Sequence, residues 1–186
     1  MKRLVIPLLL CASPAVADEI CNDLWFTRNA IFNDAGYCFG SALGKALFDN
    51  SDCVGKSVSV RVRDKKITDQ ARAYESQLGC KVDTTRQTLA LEDLAVRVRL
   101  RDQPLRDEFE SSCLGWVGPV LGLLAGHSKD TPTVGRIEPG DQVLFSHWPV
   151  GDWSYVTAHA PGGGFKSAGW VHRDQVPESA CAAWAG

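Results

Sequence analysis

Seven cysteines and four histidines are the residues of this 186-residue chain whose types could do covalent or metal chemistry. A cysteine nucleophile needs a thiolate, a nearby base and a group that orients the base. A structural zinc site needs cysteines or histidines at short, regular spacings. Cys11, Cys21, Cys38, Cys53, Cys80, Cys113 and Cys181 include no Cys-x-x-Cys pair, so a thioredoxin-like centre and a zinc ribbon lose their main signal. His127, His147, His159 and His172 include no His-x-x-x-His pair and fall in the second half, away from most cysteines. The expectation is no catalytic residue, no cofactor and no metal. The cysteines are then left with cross-linking.

The start of the chain supports that use. Lys2 and Arg3 precede the apolar run Leu4 to Leu10, and Ala15-Val16-Ala17 forms a small-x-small cut before Asp18. This is the layout of a secretory signal peptide over residues 1–17, with an apolar run too short to span a bilayer. The chain is expected to be exported, periplasmic or secreted. Leu10 stands before Cys11 where a lipoprotein signal has a small residue, which argues against a lipid anchor. No later stretch approaches the roughly 20 apolar residues of a membrane span. Removing Lys2 and Arg3 takes the 20 basic residues to 18, against 22 acidic ones, a net charge of −4. With no basic block either, nucleic acid and anionic lipid are not expected partners. Six cysteines remain, an even number that reads as three disulfides among fifteen conceivable pairings.

In the first half, Asn22 or Asp23 could cap a helix starting at Leu24, and Gly36 would stop it in the left-handed region. Ser41 opens a second candidate helix with Leu43, Leu47 and Phe48 on its apolar face. Val58, Val60 and Val62 alternate with polar residues, as do Val96, Val98 and Leu100, and both runs predict half-buried strands whose arginines face solvent. Between them Thr68 could cap a helix carrying Ile67, Ala71, Tyr74 and Leu78 on one side, ended by Gly79. Cys38 and Cys80 each follow a glycine-terminated helix, a position suited to stapling one helical layer.

The stretch Leu24-Trp25-Phe26-Thr27-Arg28-Asn29-Ala30-Ile31-Phe32, followed by Gly36-Tyr37-Cys38-Phe39 and then by Leu43 and Phe48, resembles a YARHG domain, a short extracellular bacterial module. Its cysteine-rich form is similar to an uncharacterised secreted variant of that domain. The eponymous motif is replaced by Phe32-Asn33-Asp34-Ala35-Gly36, which keeps only the aromatic residue and the glycine. The resemblance implies an envelope-associated module of unknown ligand and no catalysis.

From about Val117 the composition shifts to Gly, Pro, Trp and short apolar runs. Turns at Pro139-Gly140-Asp141, Gly151-Asp152 and Pro161 to Gly164 separate strands at Val143 to Phe145, Trp153 to Ala158 and from Gly169 onward. The ordered segments VGRIEPGDQVLFS, GDWSYVTA and AGWVHRDQV resemble a bacterial SH3-like domain, whereas LLAGHSKDTP departs from its usual first strand. That resemblance implies a small β-barrel that binds a cell-wall peptide or another protein, or serves only as a structural companion. Trp148, Trp153, Tyr155, Trp170 and His172 are the candidate ligand contacts, because aromatic side chains bury large areas with few torsions. Trp153 and Trp170 also suit the barrel core, and Trp148, beside a turn, is the better exposed contact.

The expected architecture is α+β: a disulfide-stapled helical or α+β module over 18–112, then an SH3-like β-barrel over 113–186. Cys113 and Cys181 bracket the barrel segment, a closure of about 4 kcal/mol in the chain-entropy model, and Cys38 and Cys53 flank the second helix at about 3 kcal/mol. Cys21–Cys80 follows by elimination. The expected function is non-catalytic recognition of an envelope peptide or protein. Its alternatives are a structural subunit of a periplasmic complex, or a periplasmic enzyme.

Overall fold

Helices come first along the chain and strands second. The computed structural model describes residues 14–186, so the expected leader's charged start, its apolar run and Cys11 lie outside the described residues. The helices are α1 (Pro14–Asp34), α2 (Ala42–Leu47), α3 (Val62–Leu78) and the single turn α4 (Leu94–Arg97). The strands are β1 (Arg106–Trp116), β2 (Leu121–Leu124), β3 (Thr133–Ile137), β4 (Gln142–His147), β5 (Trp153–His159), β6 (Phe165–His172) and β7 (Cys181–Ala185). No described helix is long and apolar enough to cross a membrane.

Local chemistry explains several of the helix limits. Ser41 caps α2 by accepting from Gly44 N at 3.1 Å. Gly79 closes α3 at φ 67°, where a side chain would be strained and a glycine is not. Other limits differ from the sequence expectation. Helix α1 runs straight through Asn22 and Asp23, because both side chains are used at long range: Asn22 Nδ2 donates to Ala90 O at 3.0 Å, and Asp23 is buried. Helix α3 starts at Val62, so Thr68 is interior and its hydroxyl donates back to Lys65 O at 2.9 Å.

Neither valine alternation forms a strand. Residues 58–61 have no regular structure, and Val62 opens α3. Val96 lies in the single turn α4 and Leu100 at the end of the turn that follows it, so neither is in a strand. Both pack on Tyr155, Ala168 and Trp170 of the sheet. Strand β1, with its charged RDEFE start, carries no alternation signal, and it crosses the expected boundary between residues 112 and 113.

The seven strands form one antiparallel sheet in the order β3-β2-β6-β5-β4-β1-β7. One core cluster draws a residue from every strand, including Trp116, Leu123, Ile137, Val143, Val156, Val171 and Cys181, so the sheet curls around it. No pairing joins β3 to β7 among the described strands, so the sheet is open where a closed barrel was expected. The opposite face meets the helical half. On β5 and β6 the alternation sends Val156 and Val171 into the curl, and Tyr155, Ala168 and Trp170 toward α4.

The seam between the halves is polar at its centre. Arg97 of α4, expected in solvent, has no exposed surface. Its Nη1 lies 3.1 Å from Asp23 Oδ1, its Nη2 donates to Thr27 Oγ1 at 2.5 Å, and its Nε donates to Gln103 Oε1 at 3.2 Å. The guanidinium also stacks on Phe26 and Tyr155, 5.5 and 5.6 Å from the ring centres. Asp23 Oδ2 meets His147 Nε2 at 2.8 Å, and the Tyr155 hydroxyl donates to Asp93 Oδ2 at 2.7 Å. Burial alone would push the Asp23 carboxyl up, but Arg97 and His147 overcome it and hold the group far below the carboxylate range. Burial, reinforced by Asp93, pushes the Tyr155 phenol well above its usual value.

Three disulfides fix the chain: Cys21–Cys80, Cys38–Cys53 and Cys113–Cys181, with Cα separations of 5.3, 5.0 and 5.3 Å. The first ties α1 to the end of α3. The second closes the α2 loop, and the third staples β1 to β7.

Removing Arg97 leaves buried carboxylates without their cation, so Arg97→Met should lower unfolding stability by about 3–5 kcal/mol in urea titrations. The Asp23 carboxyl, whose ordinary value is 3.8, is lowered on folding, so its stabilisation is complete above that value and is lost as pH falls below it. Asp23→Asn should therefore be less stable at neutral pH and show a shallower acid limb below about pH 4. Opening the Cys21–Cys80 pair by double Cys→Ser substitution should cost about 4 kcal/mol, read from the same titrations.

Candidate functional site

Packing α3 against the start of β1 leaves an open groove. Gln70, Ala73, Tyr74 and Gln77 form its helical wall, and Leu105, Arg106, Glu108 and Trp148 form the other, around about 230 Å³. The spacing 70, 73, 74, 77 is one face of a helix, so this wall follows from α3 being a continuous helix. Trp148 stands just past β4, and its backbone N–H donates to Leu105 O at 2.9 Å, which holds it beside β1. The indole is 50% exposed, unusual for so large a side chain. Burial and the neighbouring Glu108 push the Tyr74 phenol up, keeping its hydroxyl a neutral donor and acceptor.

The structure does not bring the five aromatic candidates together. Tyr155 and Trp170 have no exposed surface; they pack under α4, and Trp170 Nε1 donates to Asp102 O at 2.8 Å. They are corrected from ligand contacts to seam core, because their polar atoms are consumed by the helical half. Trp153 and His172 are partly buried against each other, edge to face at 5.0 Å between ring centres. His172 also caps the 3₁₀ turn Arg173–Gln175, its ring accepting from Asp174 N at 3.4 Å. Trp148 alone of the five lines the groove.

A second arrangement escaped the sequence reading. Ser146 Oγ lies 3.3 Å from His147 Nδ1, and His147 Nε2 lies 2.8 Å from Asp23 Oδ2. Hydroxyl, imidazole and carboxylate in a row are the parts of a nucleophilic relay. Here Asp23 already neutralises Arg97, and Ser146 is only 2% exposed. The β1–β4 register slips between Arg106 and Ser111, a bulge that interrupts strict alternation, and neighbouring Ser146 and His147 both face the helical half. No sequence signal links them to Asp23, which lies 124 residues from His147.

Among the described residues no group of three or more His, Cys, Asp or Glu side chains is arranged to hold a metal ion.

Comparison with known families divides the chain near the end of α3. Residues 3–76 match the YARHG domain, and residues 79–186 match a family described as Domain of unknown function (DUF4453). No curated protein and no solved structure matches the chain. Asp23 and Thr27 of the seam fall in the first match, and Asp93, Arg97, His147 and Tyr155 in the second. The second match extends over more than half of the sequence, and the chain therefore belongs to the DUF4453 family.

Proposed function

We propose that this protein is an exported, non-catalytic recognition module of the bacterial cell envelope, which holds a cell-wall peptide or an envelope protein in the Trp148 groove. The observation that carries this reading is the half-exposed Trp148 on the wall of an open groove that Tyr74, Leu105 and Arg106 share with Gln70, Ala73, Gln77 and Glu108. Tryptophan, tyrosine and arginine side chains are the anchors most common in binding hot spots. Export is supported by the small-x-small cut before Asp18, by three disulfides and by the match to an extracellular type of domain. An SH3-like ancestry for the second half is supported by the order of its strand and turn segments and by the curl of seven strands around one core.

The enzyme reading has one specific observation in its favour, the row Ser146, His147 and Asp23. Burial of Ser146 and the pairing of Asp23 with Arg97 weigh against it. Covalent labelling of Ser146 by a fluorophosphonate probe in the folded protein would establish it.

Trp148 is 50% exposed and belongs to none of the core clusters, so Trp148→Ala should leave the thermal midpoint nearly unchanged. It should weaken retention on purified sacculi or on solubilised envelope protein at least tenfold, about 1.4 kcal/mol or more. Retention equal to the wild type would overturn the groove. Recovery of one stoichiometric protein from periplasmic extract, with none of the chain on sacculi, would identify the partner as a protein and not the wall.

A further inference from the structure

A second cleft, of about 320 Å³, opens at the edge of the seam between α1, the segment before α4 and the β1–β4–β5 face. Carboxylates of Glu19, Asp23, Glu92, Asp93 and Glu110 line it together with Arg106. Most of these groups are matched within the protein. Asp23 is held by Arg97 and His147, Glu92 meets His159 at 3.2 Å, and Glu110 meets Arg106 Nη2 at 3.4 Å.

Among the described residues two buried atoms are not matched: Asp93 Oδ1 and Arg106 Nε have no hydrogen-bond partner there. Asp93 is 2% exposed, and its other oxygen is taken by the Tyr155 hydroxyl. Leaving a buried charged group short of a bond costs more than the roughly 1–3 kcal/mol of a neutral one, so native folds rarely leave such an atom without a protein, water or ligand partner. One orphan accepts and the other donates, and both residues line the same cleft. Its volume is close to the roughly 300 Å³ at which small-molecule sites begin.

We propose that this cleft binds a small zwitterion, an amino acid or the free amino-acid end of a larger molecule, whose ammonium donates to Asp93 Oδ1 and whose carboxylate accepts from Arg106 Nε. The exposed carboxylates of Glu19 and Glu110 at the rim favour a second positive group, so a basic amino acid binds better than an acidic one. The assignment goes beyond the Trp148 groove; Arg106 lines both openings, whereas Asp93 lines the cleft alone and Trp148 the groove alone, so substitutions at those two tell the sites apart.

Calorimetric titration of the full soluble chain with L-lysine, L-glutamate, 1,5-diaminopentane and acetate separates the contributions. L-Lysine should bind, with L-glutamate and acetate at least tenfold weaker, and the diamine weaker than lysine for want of a carboxylate. Arg106→Gln should lower lysine affinity about tenfold, as loss of one charge-assisted bond predicts. Arg106→Lys, which keeps the charge and loses the Nε donor, should not restore it. Asp93→Asn should also weaken lysine; because Asp93 supports Tyr155, its thermal midpoint is measured alongside, and Arg106→Gln carries the test if that variant unfolds. Equal heats for all four compounds, or no binding of lysine at about 10 mM, would overturn the proposal. So would a crystal structure grown in lysine with only water on Asp93 Oδ1 and Arg106 Nε.

Discussion

A guanidinium without solvent contact has to be answered by the protein around it, and Arg97 sets that demand for the whole fold. Its answer comes from both halves. Asp23 and Thr27 reach it from α1, Gln103 from the segment before β1, and Tyr155 supplies an aromatic face from the sheet. Asp23 in turn holds His147, so one carboxylate links α1, α4 and β4. Neither half has a satisfied interior alone. The two family matches meet near residues 76 and 79, but the polar seam and the Cys21–Cys80 bridge cross that junction. A family boundary in sequence is here no boundary in packing.

The seam also decides which surface remains for recognition. Tyr155 and Trp170 face α4 and are filled in by Val96 and Leu100. Trp153 and His172 are committed to each other and to a turn. Trp148 lies just beyond the strand that carries His147, outside the seam and against α3. At the seam's rim the same network leaves Asp93 and Arg106 with one unmatched atom each. Arg106 lines both the groove and the cleft, so the two openings are joined through one side chain.

Features set by nearest neighbours were legible in the sequence. Ser41 before α2, Gly79 after α3 and the turn residues around β4, β5 and β6 act within a few positions of themselves. So does the placing of Cys38 and Cys80 beyond glycines, which suits the observed staples. Features set by distant partners were not. Asp23 carries the side chain of a helix cap and serves instead as a counter-ion 74 residues from Arg97. Arg97 sits in a Val-Arg-Val-Arg run that reads as a half-exposed strand, and it is packing on the sheet beneath that holds Val96 in α4 and Leu100 at the end of the turn after it. Strand β1 begins with charges, and pairing on both sides, with β4 and β7, makes it a strand. The curl of the sheet, with β3 and β7 left unpaired to one another, follows from register, which composition does not encode.

The central claim is that the Arg97 seam makes the two halves one cooperative body. Native-state hydrogen exchange on α1 and on β4–β5 under mild urea measures this directly. A single body predicts that the slowest amides of both regions merge into one opening, with the same free energy and the same denaturant slope. Two separate openings, with α1 exchanging while β4 and β5 stay protected, would contradict it.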